Sequence, residues 1–76
     1  MSLSDSLKVL EKEVNDELKR LKLHVYFKII KFDAKTKALE HTVGFFEVAP
    51  KETVDKVYEV IDKHYDNFLK EHFKEI

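Results

Sequence analysis

A chain of 76 residues makes one domain, residues 1–76, and at that size folding buries only about 60% of the surface that the unfolded chain exposes. It has no cysteine, which excludes disulfides and thiolate zinc sites; 43% hydrophobic content with 38% charged residues of both signs excludes a disordered tail and leaves helix packing and self-association to complete a small core. The net charge of −1 hides a strong pattern: residues 1–18 carry two Lys against five acids, residues 19–37 seven Lys/Arg against Asp33 alone, and residues 38–76 five Lys against nine acids.

Leu3, Leu7, Leu10, Val14, Leu18 and Leu21 recur every three or four residues, the spacing of one apolar stripe, and predict a helix over residues 4–21. Ser4 suits its N-cap and Asp5 its positive end, while Lys19, Arg20 and Lys22 suit the other end. Asp16 and Arg20 stand at the separation of an i,i+4 ion pair.

From Leu23 the period becomes two. Leu23, Val25, Phe27 and Ile29 alternate with His24, Tyr26, Lys28 and Ile30, rich in β-branched and aromatic residues, and predict a strand. Asp33-Ala34-Lys35-Thr36-Lys37 breaks the pattern with an Asp able to accept from the backbone two residues on, and residues 37–48 resume it, so the two segments form a hairpin. Pairing Lys31 with Leu39 sets Ile29 opposite His41, Phe27 opposite Val43 and Val25 opposite Phe45, an almost wholly apolar face. It also sets Tyr26 against Gly44, where an aromatic ring can cover the glycine. The other face then carries His24, Tyr26, Lys28, Ile30, Phe32, Ala38, Glu40, Thr42, Phe46 and Val48, which is too apolar to stand in water.

Pro50 cannot donate to a ladder, so the second strand ends there and Pro50 opens a helix at its first position. That helix spans residues 51–74. Val54, Val57, Ile61, Tyr65, Phe68, His72 and Ile76 form its main stripe, and Tyr58, Val60, Leu69 and Phe73 widen it beyond the ~100° of an ordinary surface helix. Glu52–Lys56, Glu59–Lys63 and Asp66–Lys70 are i,i+4 pairs on the remaining face.

The order is therefore helix–strand–strand–helix, an α+β domain in which two helices flank a two-stranded antiparallel hairpin. A lone two-stranded sheet is not independently stable. With both faces apolar, either the helices sandwich it or a second subunit completes it. The expectation is a homodimer working as a binding or assembly module, with Tyr26, Ile30, Phe32, Phe46, Val48, Tyr58, Phe68, Leu69 and Phe73 at its protein contact, and with another protein partner also compatible. The alternative is a nucleic-acid-binding β-ribbon using Lys19, Arg20, Lys22, Lys28, Lys31, Lys35 and Lys37 interleaved with aromatics. Against it stand the single Arg and a pI near 6.4, where such domains usually exceed about 9.

No catalytic, cofactor or metal site is expected. The single glycine, Gly44, excludes a glycine-rich phosphate loop; Glu40 and His41 are strand neighbours and point to opposite faces; His24, His41, His64 and His72 do not converge at ligand spacing. Apolar runs are far short of the ~20 residues that span a bilayer, and the N-terminus lacks a secretory apolar region, so the expected setting is cytoplasmic, away from membranes. The absence of Gln and Trp and the dominance of Lys and Glu match a bias reported for hyperthermophile proteins. The element order is shared with parts of double-stranded-RNA-binding and prefoldin-like domains, but the former needs a third strand and a basic start to its second helix, and the latter much longer helices.

Overall fold

The computed structural model describes residues 3–45 and 48–73. Its elements keep the order read from the sequence: α1 (Leu3–Arg20), β1 (Val25–Asp33), β2 (Ala38–Phe45) and α2 (Lys51–His72). The Leu/Val stripe of α1 buries Leu10, Val14 and Leu18, and α2 buries Val57, Val60, Ile61 and Phe68. Both helices press these residues onto one face of the hairpin, around the fully buried Phe27 ring.

Ser4 lies inside the first helix rather than at its cap. At its C-terminus Lys22 adopts the left-handed conformation (φ 59°), and the N–H groups of Lys22 and Leu23 reach back to the carbonyls of Lys19 and Leu18. This is a Schellman closure, a role glycine usually fills because it has no Cβ to clash. The chain thereby reverses within a few residues and lays β1 alongside α1.

The Asp33 carboxylate accepts from the backbone N–H of Lys35 at 2.9 Å and of Thr36 at 3.4 Å, the side-chain turn expected there. Those two N–H donors hold its carboxyl below its ordinary pKa. Lys37 closes the tip with φ 58°, and its carbonyl accepts a hydrogen bond from the Tyr65 hydroxyl of α2. Burial pushes the Tyr65 phenol upward.

The register agrees with expectation from Val25↔Phe45 through Ile29↔His41, then departs from it. Ile30 is left unpaired, Lys31 lies opposite Glu40 instead of Leu39, and Phe32 lies opposite Leu39. This β-bulge exchanges faces: Lys31 turns outward, and Phe32 turns in to meet the rings of Phe68 (5.6 Å), Phe73 (5.7 Å) and Tyr65 (6.5 Å). One residue's slip removes a charge from the apolar face and adds an aromatic to the core. It also corrects the expectation that Phe32 belongs to the second face.

Pro50 is the N-cap of α2 rather than its first helical residue; its carbonyl accepts from Thr53 and Val54. Three expected ion pairs are replaced, one of them Glu52–Lys56, whose lysine takes Glu59 at 3.6 Å. Asp16 takes Lys12 at 2.7 Å, leaving Arg20 to Glu17 at 3.5 Å, and Lys63 bonds Glu17 of α1 at 2.8 Å instead of Glu59. Lys70–Asp66 forms as expected at 3.0 Å. The radius of gyration, 12.9 Å, exceeds the roughly 11 Å of a compact domain of this length.

Candidate interaction surface

Because both helices lie on one side, the hairpin is not sandwiched. Its second face stands open, with Tyr26, Lys28, Ile30 and Lys31 of β1 beside Ala38, Glu40, Thr42 and Gly44 of β2. The bulge makes this face more polar than expected, yet Tyr26 is 48% and Ile30 62% exposed. Tyr26 pairs with Gly44, but its ring does not cover it: a Cβ on Gly44 would meet only the Tyr26 carbonyl, at 4.0 Å. Among the described residues no side chain fills the space over Gly44.

The edges of the sheet differ sharply. On β1 the Asn15 side chain of α1 donates to the Phe27 carbonyl at 2.8 Å and accepts from the Phe27 N–H at 2.8 Å. Its amide therefore does for Phe27 what a residue of a neighbouring strand would do. Glu11, one helical turn earlier, accepts from the Ile29 N–H at 2.7 Å. Since Phe27 and Ile29 point these groups away from β2, their partners Val43 and His41 point theirs away from β1, and by alternation so do Leu39 and Phe45. Among the described residues no hydrogen bond reaches this outer edge of β2. Nor does β2 carry the usual guards of an edge strand: it has no Lys, no Pro and no bulge of its own.

The residues expected at a protein contact divide into two groups. Phe32, Phe68, Leu69 and Phe73 lie in or against the chain's own core, because the bulge and the aromatic cluster at the end of α2 bring them together. Tyr26 and Ile30 stand on the open face, Val48 is fully exposed just beyond β2, and Tyr58 is 44% exposed on α2. Phe46 lies outside the described residues.

The basic residues do not form one patch. Lys19, Arg20 and Lys22 sit where α1 ends, Lys28 and Lys31 on the open sheet face, and Lys35 and Lys37 at the hairpin tip, the other end of strands roughly 30 Å long. Lys37 Nζ lies 5.7 Å from the centroid of the Phe73 ring, and Arg20 is engaged with Glu17.

An open groove of about 410 Å³ runs between the helices, lined by Ser6, Glu13, His64, Asn67, Phe68 and His72 among others. His64 stands between carboxylates, Nε2 3.0 Å from Glu17 and Nδ1 3.8 Å from Glu13. Chiefly the Lys63 ammonium, aided by His64, holds the Glu17 carboxyl below its ordinary range against the opposing effect of burial. No group of three or more His, Asp or Glu with metal-holding geometry occurs among the described residues. Glu40, His41 and His72 do not share a cleft: Glu40 is on the open face, the His41 ring lies 5.4 Å from Phe27 beneath the sheet, and the His72 ring lies tilted against Phe68 at 4.7 Å. No helix among the described residues is long and apolar enough to cross a membrane.

The contrast between a bare edge and a satisfied one has only a faint signal in the sequence: a single asparagine within the first helix, next to its apolar stripe. No family model, curated protein or solved structure matches the chain.

Proposed function

We propose that this chain is a protein-interaction module that self-associates through the uncovered side of its hairpin. The observation that supports the reading is a two-stranded sheet whose two helices both lie on one face, leaving Tyr26 and Ile30 exposed, with no hydrogen bond among the described residues reaching the outer edge of β2. Such a sheet gains stability from further strands. The extended shape and the fully exposed Val48 favour the same conclusion.

Sedimentation equilibrium at micromolar to hundred-micromolar concentration is the test. A homodimer gives twice the chain's 9.1 kDa, with weight-average mass rising as concentration rises. A constant 9.1 kDa across that range overturns the proposal.

A further inference from the structure

Resting on the self-association reading, we infer that the contact is a strand-to-strand pairing: β2 of one chain pairs antiparallel with β2 of a second copy, about a two-fold axis at Thr42, extending the sheet as β1-β2-β2-β1.

The partner must be an extended strand, because what β2 leaves without a partner among the described residues is its backbone, the outward N–H and C=O groups of Leu39, His41, Val43 and Phe45. Stacking of two open faces is the poorer fit, since the bulge turned Lys31 outward to join Lys28 and Glu40 there. β2 is also complementary to itself. With the axis at Thr42, His41 stands opposite the partner's Val43 and Leu39 opposite the partner's Phe45, and these are the residues whose backbone groups point outward, so both of these pairs exchange hydrogen bonds. On the helix side the seam is apolar apart from His41, and it covers Phe45, which is 37% exposed in the single chain.

On the open side the strand's one formal charge, Glu40, meets the partner's Gly44 rather than another Glu40, so no like charges oppose each other. Gly44 can receive it: among the described residues no side chain lies within 4 Å of the space over that glycine. Thr42 meets its own copy in a close non-hydrogen-bonded pair, a favourable threonine contact. Self-pairing is confined to this edge because Asn15 and Glu11 already occupy the other.

The chain has no cysteine, so single cysteines read this geometry cleanly. In such a close pair the two Thr42 Cα atoms lie about 4.5 Å apart, within disulfide reach. Two copies of Glu40 lie roughly 14 Å apart, from their offset along the strands, beyond that reach. Under mild oxidation Thr42→Cys is expected to form a disulfide dimer at least tenfold faster than Glu40→Cys or Tyr58→Cys. In the unsubstituted protein, hydrogen exchange at the amides of His41, Val43 and Phe45 is expected to slow as concentration rises.

If the protein is dimeric by sedimentation but Tyr58→Cys cross-links as fast as Thr42→Cys, or those three amides exchange freely in the dimer, the edge pairing is overturned and self-association stands. A chain monomeric throughout overturns both. Exchange on the unsubstituted chain keeps the test decisive even if a cysteine variant folds poorly.

Discussion

The two edges of this hairpin belong to the same two-stranded sheet and meet opposite fates. On β1, Asn15 of the preceding helix satisfies the outward N–H and C=O of Phe27, and Glu11 the outward N–H of Ile29. On β2, no described residue does so. An edge strand can be closed by side chains as well as by another strand, and this chain closes one edge from within. A helix reversed tightly at Lys22 runs beside β1, where an amide side chain has the donor and acceptor needed to imitate a peptide unit. β2 is followed by the segment leading to Pro50, and α2 then packs beneath the sheet instead of along its rim.

Removing the internal closure breaks this contrast most strongly. Asn15→Leu leaves the Phe27 N–H and C=O without partners beside a fully buried ring, at a cost of roughly 2–4 kcal/mol from two unsatisfied backbone groups. Urea unfolding measures it. The same variant bares the β1 edge at Phe27 as well, so light scattering is expected to show species larger than those of the unsubstituted chain; unchanged stability and size would mean that Asn15 does not close the edge. Glu11→Ala removes one acceptor, from Ile29, and is expected to cost less, about 1–2 kcal/mol, with Glu11→Gln recovering most of the loss because its carbonyl still accepts.

Much of the fold is legible in the residues because the chain's periods are clean. The leucine stripe, the switch to alternation at Leu23, the Asp33 turn and the stop at Pro50 each have a local cause, and the alternating pattern sets the register as far as Ile29. Beyond Ile29 the causes are no longer local. In the unbulged register Lys31 is the one charged residue on an otherwise apolar face, but the bulge that expels it depends on Phe68, Tyr65 and Phe73, more than thirty residues away, receiving Phe32. The left-handed residues Lys22 and Lys37 have no glycine to announce them. The open surface is legible in part: Tyr26, Ile30 and Val48 are exposed, whereas Phe68 and Leu69 look like surplus apolar area only as long as Phe32 is taken to point outward.

A pH titration sharpens how α1 is held in place beside β1. Glu17 joins α1 to α2 through Lys63 and His64, and its folded pKa is lowered chiefly by Lys63. A group with a depressed folded pKa adds stability that is fully present above its ordinary value, 4.5 for glutamate, and that disappears as pH falls through the lower folded value. Urea midpoints should therefore fall below about pH 5, and Glu17→Gln should flatten that limb while leaving the β1 edge bonds intact. Lys63 is 55% exposed, so solvent screening keeps the effect of this pair modest. An acid limb unchanged in Glu17→Gln would assign the pH dependence elsewhere.

The smallest effect concerns the corner that delivers α1 to the β1 edge. Lys22 is held at φ 59°, a conformation that costs a residue with a Cβ roughly 1–2 kcal/mol and glycine almost nothing. Glycine's greater freedom in the unfolded chain offsets part of the gain. Lys22→Gly is therefore expected to stabilise the chain by about 0.5–1 kcal/mol, the reverse of glycine's usual effect inside a helix. Because Lys22 is not among the β2 residues that pair along the proposed seam, the substitution is expected to leave the dimer's dissociation constant unchanged. Stability rising while self-association stays constant separates the closure of one edge from the use of the other; a loss of stability would show that the left-handed turn at Lys22 is not the conformation in solution.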